Sequence, residues 1–190
     1  MDVTSAIRSA RRADIPSASS TLAEAFAFYP WTRWSIPADR YLERLERLQA
    51  VYLSHALEHG VVLVSEDLDG VAALLPPSCP EPGLGMQEEI SQLMGDRLEI
   101  AYGADLPQRP ENAWDFATLG VAGSSVGRGL GSALISRCLN HIAASDYPEV
   151  SLETSNERNV RLYERHGFEV LHRTAIAEGP VVYTMGANLG

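Results

Sequence analysis

Lysine is absent from this chain of 190 residues, and all fifteen of its basic residues are arginine. Without lysine the chain cannot form a Schiff base through a lysine amine, hold pyridoxal phosphate in the usual covalent way, or use a Walker A phosphate loop. The 25 acidic residues outnumber the basic ones and give a formal net charge of −10. Because an acidic surface repels polyanions, we expect no nucleic-acid partner.

Cysteine is scarce, and long hydrophobic runs are missing. Cys79 and Cys138 form neither a C-x-x-C pair nor a metal-ligand spacing with the histidines, which favours a reducing compartment and predicts no metal site. Cys138 occupies an apolar helical position and is expected in the core, whereas Cys79 lies in a proline-rich loop with no evident partner base. The apolar runs are too short to span a bilayer, and no signal peptide is visible, so the sequence predicts a cytoplasmic protein with no membrane partner.

The overall composition is that of an ordinary globular protein, with 45% apolar and 21% charged residues. The length suits one domain, and we expect a single domain over residues 1–190. Four prolines between Pro76 and Pro82 resemble a domain linker. The elements before them are too few to close a core, so this segment is expected to be a surface excursion.

The first half of the chain shows periodic apolar patterns separated by turn residues. They predict a strand over Ala6–Ala10, a helix from an Asp14 N-cap to Phe28, a helix over Asp39–Leu57 ended by Gly60, a hairpin of strands Val61–Ser65 and Val71–Leu75, and a helix over Gln87–Ala101. Five aromatic residues fall between Phe26 and Trp34. Because Pro30 and Pro37 break this stretch, a loop is expected there.

The second half alternates strands and helices. The pattern predicts strands over Trp114–Val121 and Val150–Thr154, a helix opened by the turn Gly123–Gly131, a helix from an Asn156 N-cap to His166 ended by Gly167, and strands over Phe168–Ala175 and Val181–Met185. The whole order predicts a mixed α/β (α+β) sandwich with a central, largely antiparallel sheet.

The glycines at Gly127, Gly129 and Gly131 lie between a predicted strand and a predicted helix. Glycines let backbone N–H groups approach an anion closely, and a helix N-terminus carries roughly half a positive charge, so this turn is a candidate phosphate cradle. The alternative is a tight turn whose glycines only allow close packing. A dinucleotide fingerprint would need its third glycine one position later, which disfavours a Rossmann site.

Two sequence blocks carry a family resemblance. Leu119-Gly120-Val121 precedes Gly127-Arg128-Gly129-Leu130-Gly131-Ser132, and Asn156-Glu157-Arg158-Asn159 precedes Leu162-Tyr163-Glu164 and Gly167-Phe168. In order and separation they resemble the GNAT family of acetyl-coenzyme A-dependent N-acetyltransferases. The segments Ala25–Arg33, Trp114–Thr118 and Leu152–Ser155 are similar to the puromycin N-acetyltransferase branch of that family. The likeness runs from about Arg8 to Met185 and is weakest between Pro76 and Arg109.

The resemblance implies the GNAT fold and acetyl-coenzyme A as co-substrate, with no metal. In the family, the backbone of the strand around Leu119, Gly120 and Val121 pairs with the pantetheine arm, and the loop amides bind the pyrophosphate. The implied coenzyme contacts in the loop and the last helix are Val126, Gly127, Arg128, Gly129, Leu130, Gly131, Ser132, Asn156, Asn159 and Tyr163. Val126 stands where the family usually has Gln or Arg, which removes one polar contact but no backbone donor.

The resemblance makes Tyr163 the candidate general acid, which would protonate the leaving thiolate; the alternative is a core tyrosine. The attacking amine must lose a proton, and the candidate general bases are Glu153, Asp115 or a water chain. Glu153 matches the motif of the puromycin branch and is the preferred candidate.

The aromatic stretch borders the acceptor side of the cleft in this family. The predicted acceptor-binding residues are Phe28, Tyr29, Trp31, Trp34 and Asp115. Such rings would favour a flat or aromatic amine; alternatively they cap the core or pack against a second subunit.

The sequence therefore predicts direct acetyl transfer, in a ternary complex, from acetyl-coenzyme A to a primary amine of a small molecule. An antibiotic, an aminonucleoside or an amino-acid-like compound is expected as acceptor, and a monomer or homodimer as the assembly. The alternative is a non-catalytic acyl-coenzyme A-binding or regulatory module on the same fold.

Overall fold

The computed structural model describes residues 7–190, so Ala6 of the first predicted strand lies outside it. The strands are β1 (Ile7–Ser9), β2 (Val61–Ser65), β3 (Gly70–Leu75), β4 (Ala113–Val121), β5 (Glu149–Thr154), β6 (Glu169–Ala175) and β7 (Val181–Asn188). The helices are α1 (Ile15–Phe26), α2 (Pro30–Ser35), α3 (Tyr41–His59), α4 (Leu84–Met94), α5 (Arg97–Tyr102), α6 (Leu130–Ala143) and α7 (Glu157–Glu164), with short 3₁₀ turns at Arg12–Asp14 and Gly123–Ser125.

The seven strands form one sheet in the order β1-β2-β3-β4-β5-β7-β6. Neighbouring strands are antiparallel except β4 and β5, which are parallel. This architecture confirms the predicted sandwich with a largely antiparallel central sheet.

Helices cover the two faces of the sheet unevenly. On one face α1 and α3 pack on β2 and β3, where Val71 and Ala73 join Leu22 and Leu53 in one core cluster. On the other face α6 packs on β3, β4 and β5 in a separate cluster around Leu134. Cys138 lies fully buried in that second cluster, as its helical position predicts.

The sheet opens between β4 and β5. These strands pair only from Ala113 opposite Glu149 to Asp115 opposite Ser151. Beyond Asp115, β4 bulges but stays paired with β3 as far as Val121, while its other edge has no strand partner in the described part of the chain. Unpaired backbone N–H and C=O groups on a strand edge can pair with an added extended chain.

Two secondary-structure predictions are wrong, one in the aromatic stretch and one at Gly95. The aromatic stretch contains the short helix α2 rather than a loop, because Pro30 occupies the first helical position, where its missing N–H costs no hydrogen bond. The single helix predicted over Gln87–Ala101 is divided into α4 and α5. Gly95 separates them with a φ of 53°, which is incompatible with a continuous helix.

Helix boundaries elsewhere lie close to those predicted. The helix α3 is shifted by two residues towards the C-terminus and ends at Gly60 as expected. Among the described residues, no helix combines the length and the apolar character that crossing a membrane requires.

Candidate active site

A cavity of about 660 Å³ lies where the sheet opens, bounded by α1 to α4 on one side and by β4, β5 and β7 on the other. It brings together seven of the residues predicted from sequence: Tyr29, Trp31, Asp115, Leu119, Glu153, Asn159 and Tyr163. Catalytic, coenzyme and acceptor candidates from distant parts of the chain therefore share one cavity.

Tyr163 lies on α7 and is held there by packing. Its ring makes edge contacts with Phe116 and Phe168, at centroid distances of 6.0 and 5.5 Å. The helix is anchored at its start by Asn156, whose side-chain oxygen accepts a hydrogen bond from the Arg158 amide at 2.9 Å. Burial raises the pKa of Tyr163 far above the usual range, so the phenol carries its proton at neutral pH. A protonated phenol that lines the cavity can act as a proton donor.

Asp115 and Glu153 place carboxyl groups on the sheet side of the cavity, and Glu81 lines it from the segment before α4. Arg109 forms an ion pair with Asp115, with Nη1 and Oδ2 at 2.5 Å. Burial nevertheless raises the pKa of Asp115, and Arg109 only offsets part of that rise. The pKa of Glu153 is raised by burial and then by the negative charge of Asp115, while Arg109 opposes the shift. Among the described residues Glu153 has no ion-pair partner, which leaves its carboxylate free to accept a proton.

Two hydroxyl groups extend this polar surface. Ser151 precedes Glu153 by two residues on β5, and Thr184 lies directly opposite Glu153 on β7. Both residues are buried and both line the cavity. The Thr184 hydroxyl has no hydrogen-bond partner within residues 7–190, so it is available to a ligand.

Sequence reasoning missed Arg109, Ser151 and Thr184. Arg109 lies in a proline-flanked segment where the family resemblance is weakest, and no periodic pattern distinguishes it. For Ser151 a signal was present, because Ser151 and Glu153 share one face of a strand by simple alternation. Thr184 lies opposite Glu153 only because of the register in which β5 and β7 pair, and no local sequence pattern indicates that register.

The glycine loop lies at the start of α6. Gly127 and Gly129 have φ values of 81° and 85°, and a Cβ added at either would meet no atom within 4 Å. These glycines are therefore required by backbone conformation rather than by close packing. The amides of Leu130, Gly131 and Ser132 follow in the first turn of this helix of 14 residues, where backbone donors lack helical partners.

Other predicted coenzyme positions differ in character. Gly120 is a packing glycine, since its Cβ would lie 2.6 Å from Leu22 Cδ2. Leu130 is buried in the α6 cluster, so only its backbone faces the loop. Val126 is 66% exposed, and Arg128 is exposed beside it. The side chain of Asn156 is used to cap the N-terminus of α7, whereas Asn159 lines the cavity.

Tyr29 connects the aromatic stretch to the end of β5. Its hydroxyl lies 2.8 Å from Thr154 Oγ1 and accepts a hydrogen bond from the Ser155 amide, also at 2.8 Å. The Trp31 amide donates to Ser155 Oγ at 3.1 Å. The segment before α7, and thus before Tyr163, is therefore fixed to α2.

Two of the predicted acceptor residues are not brought to the cavity. Phe28 lies in the turn after α1 with 92% of its surface exposed. Trp34 packs against Trp31 at 5.2 Å and approaches the turn at Gly179, so it supports the aromatic stretch from outside.

Cys79 has a partner base after all. Its sulfur lies 3.3 Å from Nε2 of His55 on α3, a contact between residues 24 positions apart that no local pattern indicates. Burial raises the pKa of the Cys79 thiol, which keeps it protonated and a weak nucleophile.

Comparison with known proteins agrees with this geometry. Residues 96–170 match the sequence model of the family described as "Acetyltransferase (GNAT) domain". The fold is similar to that of a Corynebacterium glutamicum protein described as histone acetyltransferase HPA2 and related acetyltransferase, with a TM-score of 0.75 and 25% identity over 96% of this chain and 94% of that one. The matched segment is similar to a GNAT acetyltransferase domain. The sheet and flanking helices of this chain have the GNAT fold.

Two further similarities are more limited. A Salmonella typhimurium protein assigned as an acetyltransferase, and solved with its cofactor acetyl-CoA, has a TM-score of 0.57 and 18% identity over 97% of this chain and 93% of that one. Mycothiol acetyltransferase of Acidimicrobium ferrooxidans is 51% identical over 47 residues, or 24% of this chain. That match covers only 15% of the length of the mycothiol enzyme. The likeness to the puromycin branch of the GNAT family stays a prediction.

Proposed function

We propose that the chain transfers an acetyl group from acetyl-coenzyme A to the primary amine of a small molecule, in one direct step within a ternary complex. The observation that carries the proposal is the cavity at the sheet opening, where a buried protonated tyrosine and an unpaired glutamate line the same space.

The donor side of the proposal rests on the backbone. The free edge of β4 beyond Asp115 offers N–H and C=O groups to an extended amide chain such as pantetheine, along Leu119, Gly120 and Val121. The loop from Gly127 to Gly131 opens onto the N-terminus of α6, where amides and the helix dipole favour a pyrophosphate. These residues fit acetyl-coenzyme A without any side-chain cation.

Two side chains of the cavity, Glu153 and Tyr163, carry out the proton transfers. Glu153 removes a proton from the bound ammonium, and the lone pair of the resulting amine forms a bond to the thioester carbonyl carbon. When the tetrahedral intermediate collapses, the carbon–sulfur bond breaks and Tyr163 gives its proton to the leaving thiolate. The nitrogen then loses its second proton to the tyrosinate, which restores Tyr163, and Glu153 releases its proton to water. A raised pKa suits both groups, because the acid must stay protonated and a stronger carboxylate base removes a proton more readily.

Of the candidate bases, Glu153 is favoured over Asp115. Arg109 occupies an oxygen of the Asp115 carboxylate, whereas Glu153 has no ion-pair partner among residues 7–190. We assign Asp115 to tuning Glu153 and to attracting the cationic acceptor, together with the net charge of −10.

The test is a thiol-release assay with acetyl-coenzyme A and a panel of amines: aminonucleosides, antibiotics, amino-acid amides and simple alkylamines. Mass spectrometry of the mixture should show an N-acetylated amine in the same amount as the free coenzyme A. Tight binding of acetyl-coenzyme A with no thiol release by any amine would instead favour the non-catalytic binding module.

A further inference from the structure

The cavity has two chemically different sides. One, here named the strand wall, consists of Asp115, Ser151, Glu153 and Thr184 on β4, β5 and β7. The other side, which also carries the polar residues Thr32, Ser35, Gln49 and His55, has an apolar part, here named the helix wall. It is formed by Phe26, Ile36, Leu48, Met86 and Met94 on or next to α1 to α4. An acceptor that fills the cavity must therefore present polar groups to one side and apolar surface to the other.

The buried part of the helix wall is apolar. Ile36, Leu48 and Met94 are at most 6% exposed and belong to one core cluster, against which Phe26 and Met86 pack. No Asp, Glu or Arg of the described helices α1 to α4 lines the cavity. Glu81, in the proline-rich segment before α4, also lines the cavity, but it is exposed. A second charge placed among Ile36, Leu48 and Met94 would meet no partner there, and burying an unpaired charge is costly.

Two of the five helix-wall residues are methionines on α4, at its first turn and at its end. Methionine is unbranched and adapts to irregular shapes, so this part of the wall can contact acceptors whose apolar part differs in length. The helix α4 lies outside residues 96–170, the segment that matches the GNAT family model.

The strand wall has the opposite character. Two carboxylates face one guanidinium, the Thr184 hydroxyl lacks a partner within residues 7–190, and Ser151 lies between Asp115 and Glu153 in the sheet. Such a surface can bind one ammonium group and accept its hydrogen bonds.

We propose that the acceptor is an amphiphilic monoamine, with its primary amine at the strand wall and an uncharged apolar body of several carbon atoms against the helix wall. This inference deepens the proposed acetyl transfer and rests on it for the reaction, but the recognition of the amine can be measured without turnover.

The experiment uses unbranched alkylamines from propylamine to octylamine, together with 1,6-diaminohexane. Each added methylene that reaches the helix wall should raise kcat/KM about two- to fourfold until the wall is filled. Diaminohexane, corrected for its two equivalent amines, should be at least tenfold poorer than hexylamine. The same order is expected for amine binding measured by calorimetry in the presence of coenzyme A.

Variants on α4 locate the effect. Met86→Gln keeps the length of a half-buried wall residue and makes it polar, so it should flatten the dependence on chain length without changing the KM for acetyl-coenzyme A. Leu84→Gln is the matched control, because Leu84 is 78% exposed on the same helix and lies outside the cavity lining. That control should keep the slope of the native chain.

The outcomes separate the two proposals. If amines are acetylated but chain length has no effect, or diaminohexane equals hexylamine, the amphiphilic acceptor is overturned and the acetyl transfer stands. If amines bind in the expected order and none is acetylated, the recognition stands and the transfer is overturned. Absence of any binding by the alkylamines overturns the inference outright.

Discussion

Tyr163 and Glu153, the proposed acid and base, both have raised pKa values. Tyr163 is buried, so its phenol keeps its proton. The Glu153 side chain is exposed to the open cavity, where partial desolvation raises the pKa of its carboxyl group. The neighbouring negative charge of Asp115 adds to the shift of Glu153. Side-chain position alone, rather than an unusual residue type, thus yields an acid and a base in one cavity.

Replacing Tyr163 by phenylalanine tests the acid. The ring contacts with Phe116 and Phe168 remain, while the proton is lost, so kcat should fall about 10²-fold or more. The Kd for acetyl-coenzyme A, measured by calorimetry, should change less than threefold. A kcat equal to that of the native chain in single-turnover experiments would show that Tyr163 is structural.

The pH profile of kcat/KM tests the base. Glu153 acts only when deprotonated, so the rate falls as pH drops through its raised pKa, at higher pH than for an ordinary glutamate near 4.5. Asp115→Asn removes the charge that raises this pKa and frees the Arg109 cation that lowers it. Both changes lower the pKa of Glu153, so the acidic limb of the kcat/KM profile should move to lower pH.

Glu153→Gln is the companion variant. It should lower kcat/KM and remove the acidic limb altogether, since amide nitrogen and oxygen do not titrate in this range. If the limb persists in Glu153→Gln and stays in place in Asp115→Asn, the proton leaves through water, and the assignment of Glu153 is wrong.

At the scale of elements, the turn into α6 is the structure that should bind the coenzyme. Gly129→Val places a β-branched residue where φ is 85°, so the loop must rearrange and its amides move away from the pyrophosphate. The Kd for acetyl-coenzyme A should rise at least tenfold.

Gly85→Val is the control for this substitution. Gly85 lies on α4 with an ordinary φ and no atom within 4 Å of its added Cβ, so coenzyme binding should be unchanged there. Equal affinities in both variants, measured by calorimetry, would exclude the loop as the phosphate site.

The contact between α2 and the end of β5 is the second element on which the site depends. Tyr29→Phe removes two hydrogen bonds in a half-buried place and should cost about 1–3 kcal/mol of the free energy of unfolding. Tyr183→Phe loses one exposed hydrogen bond to Glu157 and should cost less than about 0.5 kcal/mol. Urea unfolding of both variants measures the difference, and equal losses would contradict the structural role of Tyr29.

Sequence patterns predicted the elements well where one local rule decides. The hairpin of β2 and β3, the Asn156 cap and the end of α3 at Gly60 each follow from neighbouring residues. The patterns failed at Pro30 and Gly95, where the same residue type can either start, end or interrupt a helix. At these positions the surrounding packing decides the outcome.

At the scale of the whole molecule, the sequence patterns did not predict which distant segments lie next to one another in the fold. Arg109 reaches Asp115 from an irregular segment, Thr184 reaches Glu153 through strand register, and Phe28 is left in solvent by the helix that places Trp31 in the cavity. Motifs predicted Tyr163 and the glycine loop, because both lie within short sequence blocks. The two walls of the cavity are assembled from six separate parts of the chain and have no local signature.

Initial rates with acetyl-coenzyme A and hexylamine, following free thiol and N-acetylhexylamine together, test the central claim most directly. We expect the two products in equal amounts and double-reciprocal lines that intersect, as a ternary complex requires, with both rates reduced about 10²-fold or more in Tyr163→Phe. Thiol release without the amide, parallel lines, or no product from any amine of this series or of the acceptor panel would contradict direct acetyl transfer at this site.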